Sequence, residues 1–234
     1  MNSKTPVAGP FTRSRRTAKS DLTRERILAA ARRLFNEQGT SVVSTNHIAA
    51  EAGLSPGNLY YHFADKREIV RALHAQYAAA HEERWQPGLN ARENLVQLRR
   101  NLAASAELAW EYRFLEREIL ALLRADPELR VAYRDVYERR VEEWLAFGEQ
   151  LVAQGMLRAP RPPRSLRDLT VALWLVAQGW LPFLDLTGDP HDPREVARGI
   201  ELVLVVLDPY LTSQGRRAFE AAAAGTAGTE RRAR

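Results

Sequence analysis

The residues best suited to chemistry fall within one stretch, STNHIAAEAGLSPGNLYYHFADK, spanning 44–66. Ser44, Thr45, Ser55, Asn58, Tyr60, Tyr61, His62 and Lys66 supply hydroxyls, an amide, an imidazole and an ammonium among aromatic rings. Such groups bond polar edges and phosphate oxygens. Elsewhere the chain has neither an HExxH pair nor a glycine-rich phosphate loop. It holds no cysteine, which excludes disulfides, zinc ribbons and thiol catalysis. His74 and His81, with Glu82 nearby, form a two-histidine pattern that lacks the third fixed ligand of a zinc site. No catalytic residue, metal or cofactor is expected, and an all-α enzyme is a remote alternative.

These groups sit on a basic background. Through position 66 the bases are Lys4, Arg13, Arg15, Arg16, Lys19, Arg24, Arg26, Arg32, Arg33 and Lys66, against Asp21, Glu25, Glu37, Glu51 and Asp65. The entire formal charge of +5 therefore lies there, on an otherwise neutral chain. A basic segment on a neutral body suits a polyanion; a solvated basic tail is the competing reading. No apolar h-region follows the early bases, so a secretory signal is not expected. The longest apolar stretch, 171–186, is interrupted by Gln178, Gly179, Pro182 and Asp185, and falls short of the ~20 residues of a membrane span. A cytoplasmic protein without a membrane partner is expected.

Apolar residues make up 45% of the chain, enough for a sizeable core. Ala, Leu, Arg and Glu dominate and strand signals are scarce, so an all-α protein is expected. Residues 1–20 read as a disordered basic arm whose Arg13, Arg15 and Arg16 would add phosphate or minor-groove contacts. Residues 218–234 read as a disordered tail. Between them, 21–66 form one domain and 67–217 a second. A helix over 22–38 carries Ile27, Leu28, Ala31, Leu34 and Phe35 at helical spacing, and Gly39 stops it. Ser44 caps a helix of two turns that ends at Gly53; Ser55 caps the next, with Pro56 at its first position. Asp65 to Glu68 open a fourth in a capping-box pattern. Longer helices follow over 92–112, 114–124, 128–154, 165–186 and 194–211.

Two short helices joined by a glycine turn make the unit that sets a recognition helix in the major groove. Ala49 allows close approach, Gly53 the positive φ of the turn, and Leu59 locks the second helix on the first. At this point the sequence resembles the tetracycline-repressor (TetR) family. The likeness runs over 23–73 and centres on LYYHF-x-x-K with IA-x-x-AG upstream. More weakly, DPELR at 126–130 and DPYLTSQG at 208–215 resemble one subgroup of its effector domains. The resemblance implies a homodimer with an N-terminal head for a double-stranded operator, a C-terminal helical domain for ligand binding and dimerisation, and repression relieved by a small molecule. It makes 56–63 the recognition helix, with Leu59 and Phe63 in the core. Asn58 and Tyr61 would read base edges, an adenine and a thymine methyl being suitable targets. Tyr60 and His62 would meet phosphates, as would Ser44 and Thr45. Lys66 matches a family lysine that bonds a backbone phosphate. Family members often carry a base at position 56 or 57, whereas Pro56-Gly57 leaves the front of this helix uncharged. The competing readings are a core aromatic for Tyr60, a structural histidine for His62 and a solvated side chain for Lys66.

In the second half, Trp110, Phe114 and Arg117 are spaced i, i+4, i+7, and with Trp144 and Trp174 suggest a pocket for an apolar or acidic effector. Ordinary core packing, with Arg117 paired to a neighbouring Glu, is the competing reading. The run LVLVVL, 202–207, is apolar all round and asks for cover on more than one side. Leu166, Leu169, Leu173 and Trp180, with Ile200, Val203, Leu204 and Leu207, are the expected dimer interface. An activator or DNA-organising protein of the same fold, without an inducer, remains the alternative.

Overall fold

The computed structural model describes residues 11–82 and 90–221. The described chain is helical and contains no strand; Leu157 and Leu211 form an isolated antiparallel bridge. It divides into two compact units, Met1–Leu73 and His74–Arg234.

The first unit holds α1 (Phe11–Gln38), α2 (Thr45–Glu51), α3 (Pro56–His62) and the start of α4 (Lys66–Glu82). Helix α1 begins ten residues earlier than the expected arm allows. FTRSRRTAKS contains no Gly or Pro after Pro10 and is rich in helix formers, so it continues the helix behind it. Residues 1–10 lie outside the described residues, as do the side chains of Arg13, Arg15 and Arg16. Each short helix has its own punctuation. Ser44 Oγ accepts from His47 N while His47 Nδ1 accepts from Ser44 N, a capping box with His at the third position. Gly53, at φ +65°, ends α2, and Leu54 N reaches back to Ala49 O. Ser55 Oγ accepts from Asn58 N, with Pro56 at the first helical position. Ile27, Phe35, Ile48, Ala49, Leu59, Phe63 and Ile69 are almost wholly buried and form the core.

The second unit holds the rest of α4, then α5 (Ala91–Glu111), α6 (Arg113–Ala125), α7 (Pro127–Ala153), α8 (Leu166–Thr187) and α9 (Pro193–Leu207). A 3-10 turn, Asp208–Tyr210, and a helix over 213–221 follow. Pro209 thus ends the last long helix before the expected 211, and 218–221 are helical rather than tail. Residues 222–234 lie outside the described residues. Asp126, Ser165 and Asp192 cap α7, α8 and α9 through their side chains. Helix α8 packs on α6, α7 and α9, and α9 on α5. Leu95, Leu98, Leu102, Phe147, Leu151, Val203 and Leu207 make the main core. Gly199 lets α8 and α9 approach, because a Cβ there would stand 2.5 Å from Trp180 Cδ1.

Two expectations change here. Helix α8, taken whole, is long and apolar enough by length and composition to cross a membrane, although the stretch 171–186 had looked too short. It packs on three neighbouring helices and buries Leu169, Trp174, Leu181 and Leu184, while most of its apolar window is left uncovered within the single chain. The expected interface residues largely face their own subunit. Leu169, Val203 and Leu207 are buried, while Leu166, Leu173, Ile200 and Leu204 pack against the same core. Trp180 donates from Nε1 to Glu195 O at 2.9 Å. A helix apolar on all sides does not reveal from sequence which face turns inward. On these two helices the large apolar residues left in solvent are Leu175, Phe183 and Leu186 on α8, the last 85% exposed, and Val205 on α9; Leu120 on α6 and Val131 on α7 are exposed as well.

Candidate nucleic-acid interface and internal cavity

Leu59 and Phe63 anchor α3 in the core, and that fixes the opposite face. Pro56, Gly57, Asn58, Tyr60 and Tyr61 are exposed, Tyr61 at 78%, and His62 is half-buried with its ring edge-on to Tyr61 at 5.2 Å. Asn58 and Tyr61 therefore stand on the exposed face of α3, as expected from the sequence. Tyr60 is not a core aromatic; its hydroxyl hydrogen-bonds Thr45 Oγ1 at 2.9 Å and ties α3 to the start of α2. Ser44 and Ser55 serve as caps, and each keeps a hydroxyl proton to donate outward. Segment 53–57, GLSPG, has the letters of the GxSxG nucleophile elbow. That elbow needs a strand-to-helix turn, and here the turn joins two helices while Ser55 Oγ caps the second.

Lys66 is also engaged within the head. Its Nζ donates to Thr40 O at 2.5 Å and to Val43 O at 2.8 Å, pinning the loop that leads into α2. Arg26 Nη2 donates to Ala52 O at 2.6 Å, just past α2, and Arg24 Nη1 donates to His62 O at 3.1 Å, at the end of α3. The Arg24 guanidinium also lies 4.1 Å over the Phe63 ring. Cations on the carbonyl ends of helices complement the helix dipole and satisfy orphan acceptors. Arg33 pairs with Glu51. Much of the basic excess in this unit is therefore structural, a use that charge counting does not distinguish from DNA contact.

The second unit encloses a cavity of about 100 Å³ whose lining includes Leu102, Trp144, Trp174, Leu181 and Val203. Beside it lies a space of about 70 Å³ that shares Leu102, Trp144 and Val203. Trp144 and Trp174 line the first cavity as expected, their rings 5.7 Å apart. The other three expected pocket residues do not line this cavity, although Trp110 lines a wider neighbouring space of about 470 Å³ that shares Leu102, Ala106, Val196 and Ile200 with it. Helix α5 ends at Glu111 and α6 starts at Arg113, so Trp110 and Phe114 belong to different helices and their spacing does not give a shared face. Phe114 is core. Arg117 Nε bonds Asp185 Oδ2 at 2.5 Å, and Trp110 carries the Arg113 guanidinium over its ring at 4.5 Å.

The polar part of the cavity comes instead from Tyr77 and His81 of α4, Ser105 of α5, Glu116 of α6, Arg140 of α7 and Gln178 of α8. Tyr77 donates its hydroxyl proton to Glu116 Oε1. With the Gln178 amide set to satisfy both neighbours, its nitrogen donates to Glu116 Oε2 at 2.6 Å and its oxygen accepts from Tyr133 at 3.1 Å. Burial pushes the Glu116 carboxyl up to about 7, against the opposing pull of the Tyr77 hydroxyl and Arg140. Burial and the Glu116 carboxylate hold the Tyr77 phenol well above its usual value, so it remains a donor. His74, buried against Tyr133, is lowered to about 4, first by burial and then by Arg140. His81 stands edge-on to Tyr77 at 4.8 Å. No group of three or more acidic or histidine side chains suited to a metal occurs among the described residues.

A three-helix head presenting α3 to solvent, followed by a helical unit with an internal cavity, defines a helix-turn-helix DNA-binding regulator. The family of bacterial regulatory proteins of tetR type matches residues 27–73, and that of bacterial transcriptional repressors matches 76–219. The chain belongs to the TetR family of DNA-binding transcriptional regulators. It is 28% identical over 178 residues to the HTH-type transcriptional repressor AcnR of Corynebacterium diphtheriae, covering 76% of this chain and 89% of AcnR. To the HTH-type transcriptional regulator UidR of Escherichia coli it is 43% identical over 51 residues, 22% of this chain and 26% of UidR. A TetR-family transcriptional regulator from Marinobacter aquaeolei VT8 superimposes with a TM-score of 0.73 at 30% identity, covering 85% of this chain and 96% of that one.

Proposed function

We propose that this protein is a cytoplasmic homodimeric repressor that binds a palindromic operator through α3 and releases it when a small molecule enters the cavity of the second unit. One observation carries the DNA reading: Leu59 and Phe63 are buried to within 1% while Asn58 and Tyr61 on the same helix stand in solvent. Asn58 and Tyr61 read base edges in the major groove. The Ser44, Ser55, Thr45 and Tyr60 hydroxyls and His62 position the helix against phosphates, sequence-independently. The dimer forms through the exposed stripe Leu175, Phe183 and Leu186 of α8 together with Val205 of α9, pairing the two helices with their symmetry mates.

The test is binding of operator and scrambled duplexes across a salt series. Tyr61→Ala lowers operator affinity about fivefold to 100-fold, or about 1–3 kcal/mol, and leaves scrambled duplex and melting temperature unchanged. Equal loss on both duplexes would remove Tyr61 from base reading.

A further inference from the structure

Arg140 is 7% exposed, yet it makes a single hydrogen bond, Nη2 to Ala78 O at 3.2 Å. Among the described residues no carboxylate oxygen lies within 4.0 Å of it. Its acidic neighbours act only at longer range: Glu116 accepts from Tyr77 and Gln178, Glu82 pairs with Arg139, and Glu143 is also near. A guanidinium carries five N–H donors and does not deprotonate. Buried cations are ordinarily paired, because an unpaired one loses its hydration without compensation. Here the unengaged donors line a cavity whose other walls are the rings of Trp144 and Trp174 and aliphatic side chains.

We infer that the effector is an apolar carboxylic acid whose carboxylate seats on Arg140 while its hydrocarbon body fills the space between Trp144, Trp174 and Leu102. This rests on the effector reading above and adds its chemical class. The charge sign follows from which partner is already engaged. Each Glu116 oxygen already holds a donor, so a ligand cation would find that carboxylate partly engaged, whereas a ligand carboxylate finds all the Arg140 donors but the one on Ala78 O unengaged. The size follows from the volume. A cavity of about 150 Å³ admits benzene. The adjoining spaces of about 100 and 70 Å³ hold a single ring or a medium alkyl chain, and a wider space of about 470 Å³ sharing Leu102, Ala106, Val196 and Ile200 with the first leaves room for a longer body. The earlier expectation of an acidic ligand thus returns on a different arginine, since Arg117 is engaged by Asp185.

The experiment compares isosteric probes that differ in head group: benzoate, benzyl alcohol and benzylamine, then octanoate, octanol and octylamine. Binding to the full chain is followed by quenching of tryptophan fluorescence, Trp144 and Trp174 being in the wall, and by operator release. The expected result is that the acids bind at least tenfold tighter than their alcohols and the amines bind weakest. Arg140→Gln brings acid binding down at least tenfold and removes the preference for acid, while operator binding without probe reports that the variant is folded. Should that variant fail to fold, Arg140→Lys decides, keeping a reduced preference for acid. Glu116→Gln tightens acid binding severalfold at pH 8 by removing a neighbouring negative charge. Tighter binding of amine or alcohol than of acid in wild type overturns the carboxylate assignment and leaves the effector reading standing. If no probe in this panel or a broad one binds or releases operator, both fall.

Discussion

In the head, Arg24, Arg26 and Lys66 all end on backbone carbonyls of the same unit. In the second unit, Arg140 ends on one carbonyl and a cavity. The head uses its cations to hold two short helices in place, since a helix of seven residues has little stability of its own. Its exposed recognition surface on α3 is then left to neutral groups, Asn58, Tyr60 and Tyr61. The second unit has larger helices and a larger core, and it holds a buried cation and a buried carboxylate that do not pair with each other. A net charge counted along the sequence therefore says little about where a ligand's charge is met. What matters is whether the donors of each cation are already engaged.

The largest effect expected from this contrast is on the buried acid. Glu116 is raised to about 7 from 4.5, so between those values the folded state holds a proton that the unfolded state has lost. Stability therefore falls as pH rises through that window, by about 3 kcal/mol at full extent. His74, lowered from 6.5 to about 4, acts oppositely: the unfolded state takes a proton first, so stability falls as pH drops from 6.5 towards 4. Over 4.5 to 6.5 the two slopes oppose each other, and wild-type stability is expected to be nearly flat there. Glu116→Gln keeps the network, because the Gln178 amide can turn to accept from the new amide while Tyr77 still donates. Urea denaturation at pH 5 and pH 8 should show this variant more stable than wild type by about 3 kcal/mol at pH 8 and by much less at pH 5. Parallel behaviour of the two proteins would mean that the cavity wall does not desolvate this carboxyl.

Next in size is Lys66. Charge-assisted hydrogen bonds to carbonyls are worth about 1.5–3 kcal/mol each when buried, and this ammonium is only half-buried. Lys66→Met should lower the stability of the head by about 2 kcal/mol. It should weaken DNA binding through partial unfolding, with the salt dependence of the folded fraction unchanged. A variant with unchanged melting and a salt slope flatter by about one unit would restore Lys66 as a phosphate contact and blur the contrast between the units.

The head was legible in the sequence because its signals are local. Ser44, Gly53, Ser55 and Pro56 mark helix ends within a few residues, and Leu59 and Phe63 set the buried face of α3. The Arg24 and Arg26 bonds were not legible, since each reaches a carbonyl more than twenty residues away. In the second unit the sequence already divides into helices over 92–112 and 114–124, but the i, i+4, i+7 spacing of Trp110, Phe114 and Arg117 runs across that division, and the turn at Tyr112 breaks the shared face. The cavity's polar groups come from five helices, and apart from Tyr77 and His81 on α4 none is near another in sequence. One signal was available: Arg140 falls at helical spacing from Tyr133, Tyr137 and Trp144, a charge within an inward aromatic stripe. Glu116, between Leu115 and Arg117, has no comparable pattern.

The smallest change tests the comparison from the other side, by giving α3 the outward cation it lacks. Gly57 is exposed at the second position of α3, and a Cβ there meets nothing within 4 Å. A side chain fits without moving the backbone. Gly57→Lys gains about 0.5–1 kcal/mol of helix propensity and gives back about 0.3–1 kcal/mol by placing a positive charge at the helix N-terminus. Melting should therefore stay close to wild type. On DNA the added ammonium lies at the end of α3 that faces the phosphates flanking the groove. Each such contact steepens the dependence of log affinity on log salt by about 0.9. Operator and scrambled duplex should both gain, the ratio between them holding, because a phosphate contact carries no sequence information. An unchanged slope would mean that the front of α3 stands away from the backbone. A gain confined to operator would mean that position 57 reads a base, and the neutral reading surface assigned to the head would have to include it.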